Sequence, residues 1–104
     1  MANQNPNVRT AYDFFMGRGY SQAQTAGIIG NLLGESNLNP NGPNGDGGVA
    51  RGIAQWHPDR WGTHVARASA AGRDPRDLSA QLDFVDWELR NKEKAAFNGL
   101  MKAK

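Results

Sequence analysis

The sequence predicts an α+β domain, mostly helical, in which helices hold a small, irregular hairpin or loop lobe. Three observations point there. Apolar residues recur at helical spacing on both sides of the chain's middle. A run of turn formers, N-L-N-P-N-G-P-N-G-D-G-G at 37–48, interrupts them. Helix start and stop signals bracket the periodic stretches. At 104 residues the chain is expected to be one domain, 1–104, with a single modest core.

Residues 1–5 read as a frayed start, and Pro6 suits the first turn of a helix. Val8, Ala11, Tyr12, Phe15 and Met16 make its apolar face, and Gly17 and Gly19 end it. Ser21 with Gln24 three residues on is a capping box. A second helix then runs through Ala26, Ile29, Leu32 and Leu33 towards Glu35. Gly30 and Gly34 cost about 1 kcal/mol each against alanine inside it. Close packing, or room for a ligand, would explain them. The 37–48 run cannot be a helix on its composition, and Val49 to Trp56 suits a short strand. His57-Pro58-Asp59 opens a third helix with Trp61, Val65 and Ala68 inward, stopped by Gly72. Asp74-Pro75 reads as the next N-cap and first-turn pair. Leu78, Leu82, Val85 and Leu89 then mark the clearest amphipathic helix, with Asp83 and Asp86 outward. A last helix is expected from Glu93 to Met101.

Composition narrows the function. The formal net charge is +2, with a pI near 9.3 and a mean hydropathy of −0.68. That balance favours anionic polymers only weakly. Without cysteine, disulfides and thiolate metal sites are excluded. His57 and His64 have no third ligand at metal spacing, so no metal or other cofactor is expected. No serine lies in a nucleophile elbow, and G-D-G-G-V-A-R-G lacks the lysine of a phosphate loop. The arginines are scattered, against a nucleic-acid face. The polar start M-A-N-Q-N-P-N has no signal-peptide character, and no run approaches a membrane span. The expectation is synthesis in the cytoplasm, with no membrane partner.

The chemistry concentrates between Glu35 and Trp56. Glu35 follows an apolar run near a helix C-terminus, where the dipole disfavours an anion. Burial and dipole together raise a carboxyl pKa, which suits a general acid. The alternative is a surface glutamate opening a loop. Asp46, between glycines, is either a second functional carboxylate or a turn aspartate. Gly52 permits close backbone approach, and Gln55 offers donors and an acceptor to a sugar amide or a water. Trp56 is either a sugar platform or core.

G-I-I-G-N-L-L-G-E-S-N-L-N-P, G-D-G-G-V-A-R-G-I-A-Q-W, D-R-W and Q-L-D-F-V-D-W-E-L together resemble the phage tail lysozyme family, across roughly residues 11–100. That family lies in the lysozyme-like superfamily with goose-type lysozymes and lytic transglycosylases. The resemblance implies a lysozyme-like fold whose cleft binds bacterial peptidoglycan glycan strands. It implies Glu35 of the E-S pair as general acid and, less directly, Asp46 as the second carboxylate. Ser36, Gly52, Ile53, Gln55 and Trp56 become the substrate-binding candidates. The implied activity is a muramidase, cleaving between N-acetylmuramic acid and N-acetylglucosamine. The alternatives are a lytic transglycosylase giving an anhydro product and a non-catalytic glycan-binding or tail-structural module. Other phage tail or lysis proteins are the implied partners, and the cell wall the place of action, from the virion or at lysis. The family's domain usually continues beyond the Q-L-D-F-V helix, so this chain, ending at Lys104, is expected to be a compact variant, a cut domain, or one whose missing wall a partner supplies.

Overall fold

The computed structural model describes residues 5–42 and 45–92, with Asp46 given by its backbone alone. Five helices follow in order: α1 (Pro6–Gly17), α2 (Gln22–Ser36), α3 (Gly45–Gly48), α4 (Pro58–Ala70) and α5 (Leu78–Asn91). Among the described residues there is no strand. One isolated antiparallel bridge, Arg51 to Trp56, stands where a hairpin is expected. The mostly helical expectation holds, and the strand between Val49 and Trp56 reduces to that bridge. The predicted helix at Glu93 to Met101 lies outside the described residues.

Capping chemistry sets the helix starts. Asn5 is the N-cap of α1, its side chain accepting from the Asn7 backbone N–H at 2.9 Å, so it is ordered rather than frayed. The Ser21–Gln24 capping box forms in both directions, at 3.1 and 2.8 Å. Pro58 opens α4 as expected, and Gly72 follows it with φ +70°.

Two starts differ from the sequence reading. Asp74-Pro75 does not open α5. Asp74 Oδ1 accepts from Arg76 N–H, and the Asp74 carbonyl accepts from Asp77 N–H, which closes a turn instead. The helix begins three residues later, after Asp77. The 37–48 segment does contain a helical turn, α3, despite its composition. Tertiary anchoring decides it: Gly45 N–H donates to Gln55 Oε1 at 3.0 Å and the Gly45 carbonyl accepts from Ala50 N–H. Propensity is a weak prior against such anchors.

The core lies where α1 packs against both α2 and α5. Ala11, Phe15, Ile28, Ile29, Leu32, Leu38, Ile53, Trp56, Leu82, Phe84 and Val85 are all buried there. Leu82 and Val85 face inward as the spacing predicts. Met16 departs from its predicted face and is 39% exposed. Gly30 and Gly34 do not serve close packing among the described residues, where a Cβ at either would meet nothing within 4 Å.

Asp86 is the larger correction, because it is buried. Its carboxylate accepts from Tyr20 Oη at 2.7 Å, Arg18 Nη1 at 3.0 Å and Arg90 Nε at 2.8 Å. Burial and the adjacent carboxylate push the Tyr20 phenol well above its ordinary value. This cluster ties the end of α1 to the middle of α5.

Candidate active site

Glu35 and Ser36 form the last turn of α2. Asn37 caps it in the left-handed region, φ 57°, with its N–H donating to the Leu33 carbonyl. Leu38 follows, also at φ 57° and fully buried. A left-handed leucine is disfavoured on steric grounds, and its burial in the core offsets that cost. Two side chains from the start of α1 fix the carbonyls of this turn. Asn5 Nδ2 donates to Asn37 O at 2.7 Å and Asn7 Nδ2 to Leu38 O at 2.8 Å. The chain therefore reverses sharply just after Glu35, and its direction is held from outside α2.

Glu35 itself is exposed. Among the described residues it has no hydrogen-bond or ion-pair partner. The expected shielding by apolar neighbours is absent, because the apolar residues of α2 turn towards the core and Glu35 does not. Its neighbour Ser36 is buried, and Ser36 Oγ donates to the Ile53 carbonyl at 2.7 Å. That bond joins the helix end carrying Glu35 to the Gly52–Gln55 turn.

The turn is built from the inside. Gly52 has φ +77°, and a Cβ there would lie 2.9 Å from both the Trp56 ring and Gln81 Oε1. Only glycine fits. Ile53 is fully buried, and its N–H donates to Gln81 Oε1 at 2.9 Å. Gln81 Nε2 in turn donates to the carbonyls of Pro40 and Pro75, each at 3.1 Å. One buried amide thus holds three loop segments against α5.

Gln55 does a similar job nearer the surface. Its Nε2 donates to Gly42 O at 3.2 Å and Gly52 O at 3.1 Å, and its Oε1 accepts from Gly45 N–H at 3.0 Å. Both amide donors are engaged with backbone, so neither is free for a sugar or a water in this conformation. Gln55 shapes the loop that leads into Asp46. The Asp46 side chain lies outside what is described.

Trp56 resolves as core. Its indole is fully buried, 5.2 Å from the Phe84 ring and 5.6 Å from His64. Its Nε1–H donates to Glu88 Oε1 at 2.8 Å, and Arg60 pairs with the same carboxylate at 2.6 and 2.9 Å. The indole has no exposed face for a sugar. His64 is buried too, its Nε2 2.8 Å from the Pro75 carbonyl. Burial pushes its pKa below the ordinary 6.5, against the opposing pull of that carbonyl.

Ser36, Gly52 and Ile53 are therefore brought together, with Glu35 exposed beside them. Trp56 and Gln55 support that assembly from behind. Sequence reasoning missed Asn5, Asn7, Gln81 and Glu88. The asparagine density of N-Q-N-P-N and the polar residues inside Q-L-D-F-V-D-W-E-L were the available signals.

An open depression borders the turn, and a second adjoins the first. The first, about 310 Å³, is lined by Pro40, Asn41, Arg51, Gly52, Trp61 and Arg76. Its neighbour shares Asn41 and Arg76 and adds Arg73, Asp74 and Asp77. Glu35 lines neither. Among the described residues no group of three or more His, Cys, Asp or Glu is placed to hold a metal, and no helix is long and apolar enough to cross a membrane.

The chain is 28% identical over 97 residues to Morphogenesis protein 1 of Bacillus phage B103. The match takes in 89% of this chain and 26% of that protein, so the chain spans about a quarter of the relative's length. The sequence model of the phage tail lysozyme family matches residues 6–104. A match over nearly the whole length, together with the E-S pair and the Gly52 turn joined through Ser36, makes this chain a member of the phage tail lysozyme family.

Proposed function

We propose that the protein cleaves peptidoglycan glycan strands as a muramidase, with Glu35 as the general acid. The observation that carries the reading is an exposed carboxylate with no partner among the described residues, on a helix end tied down by Asn5, Asn7 and Ser36, in a member of this family. Glu35 protonates the glycosidic oxygen between N-acetylmuramic acid and N-acetylglucosamine, and the leaving sugar departs as an alcohol. A bound strand covers the carboxylate and excludes water from it. Asp46, on the loop stapled by Gln55, is the proposed second carboxylate on the opposite face of the sugar, where a water adds its oxygen to the anomeric carbon and gives up a proton as the glycosidic bond breaks. Ser36, Gly52 and Ile53 keep the wall of the site in place through backbone contacts. Trp56 and Gln55 position rather than touch the substrate. The relative's name, a morphogenesis protein of a phage, supports a setting among other phage proteins, and the proposed action at the cell wall rests on the family.

Glu35→Gln tests the reading. The variant should keep its circular dichroism and lose about 10²–10⁴-fold in cell-wall lysis. Unchanged lysis by the folded variant would remove Glu35 from the mechanism. Mass spectrometry of the products separates a hydrolysed reducing end from an anhydro sugar, the mark of a lytic transglycosylase.

A further inference from the structure

We propose that the depression beside the Gly52 turn binds the carboxylates that acidic glycan strands carry as substituents; this rests on the glycan-cleaving reading above. Two guanidinium groups, Arg51 and Arg76, line it, and no carboxylate does among the described residues. Arg51 is anchored by Nη1, which donates to the Gly48 and Ala50 carbonyls. No described group accepts from its Nε or Nη2, so one edge of the guanidinium is available. Among the described residues the Arg76 side chain has only a loose partner, Asp74 at 3.9 Å, with both side chains well exposed. Water screens such a pair, and a better-placed carboxylate displaces it easily. Guanidinium groups match carboxylates in shape as well as in charge.

The rest of the depression is suited to a sugar bearing such a group. Its floor is preset: Gly52 admits no side chain, and Gln81 holds the Pro40 carbonyl. Trp61 is half-buried, its ring 6.2 Å from the core indole of Trp56. It is fixed on one side and offers apolar surface on the other, an arrangement that suits a sugar face. Because Glu35 does not line this depression, what binds here belongs to a part of the strand away from the bond being broken. Two sources supply the carboxylate: the lactyl ether of muramic acid once its peptide is removed, and the peptide stem where it remains.

The test measures binding in a Glu35→Gln background, with three probes and with Arg76 intact or changed to Gln. The probes are a neutral chitooligosaccharide, a stem-stripped glycan fragment with free lactyl carboxylates, and a stem-bearing fragment. With Arg76 intact, at least one acidic fragment should bind more tightly than the neutral one, and added salt should shrink the preference. Arg76→Gln should weaken that acidic fragment about three- to tenfold and leave the neutral one unchanged. Arg76→Lys should restore part of the loss. The acidic fragment that responds identifies the source of the carboxylate. Equal binding of all three probes, or equal losses on all three in Arg76→Gln, would overturn the subsite while leaving the glycan reading in place. Binding of none would overturn both.

Discussion

Two glutamates sit near the C-terminal ends of their helices and meet opposite fates. Glu88, in α5, is buried and accepts from Trp56 and Arg60. Glu35, in α2, is exposed and has no described partner. A helix C-terminus repels an anion in either place. In α5 that repulsion is met by Arg60 from α4 and by Arg90 in the last turn, whereas α2 has no basic residue in its last turn. The carboxylate with partners contributes to holding the fold. The one left without them is available for chemistry, and the neighbours fixing its backbone do not neutralise it.

Exchanging each acid for its amide sharpens this contrast. Glu35→Gln should have its large effect on lysis and change urea stability by less than about 0.5 kcal/mol. Glu88→Gln should do the reverse, losing about 1–2 kcal/mol of stability, the pair being discounted for the half-exposed Arg60. If both variants lost stability alike, the division between structural and functional acid would fail. On the structural side, Leu82→Ala should cost about 2–5 kcal/mol, since Leu82 is fully buried in the core. A cost below about 0.5 kcal/mol in urea would mean that the core does not depend on this face of α5.

Asp46→Asn should lower turnover about ten- to a hundredfold with glycan affinity nearly unchanged. A rate within a few-fold of wild type would make it a turn residue and favour the transglycosylase reading. If it does act, the expected separation from Glu35 is the gap of about 6.5–9.5 Å with which an inverting hydrolase holds a water.

The smallest effect is in pH. His64 is depressed in the folded chain, chiefly by burial. Its contribution is therefore present above the unfolded value of 6.5 and is lost as pH falls through the lower folded one. Arg73, Asp83 and Glu88 act on the same ring. His64→Gln should flatten the decline in urea midpoint between about pH 7 and 5. An equally steep decline in the variant would assign the slope to other groups.

Much of the helical frame was legible, because periodicity and capping act locally. Ser21 with Gln24, Pro58, and the 78–82–85–89 spacing needed no tertiary information. Asp86 was misread for a visible reason. It lies four residues after Leu82 and three before Leu89, on the edge of the same stripe, and only Arg18 and Tyr20 from elsewhere allow its burial. The α3 turn was illegible because Gln55, ten positions on, closes it. At the site, Glu35 stood out by motif and position. The exposure of its side chain, and the commitment of Gln55 to backbone, depend on packing that no local pattern reports.

The Arg18–Asp86 bond, between residues 68 positions apart, has a consequence for how the molecule is made. During synthesis, α1 emerges long before its partners on α5. Ile53, to which Ser36 is tied, likewise waits for Gln81, 28 residues downstream. Closing such distant pairs is the slow part of assembling a small helical domain. The wall beside Glu35 therefore takes shape only after α5 has left the ribosome, and the nascent chain carries its acid without the surface that would present it.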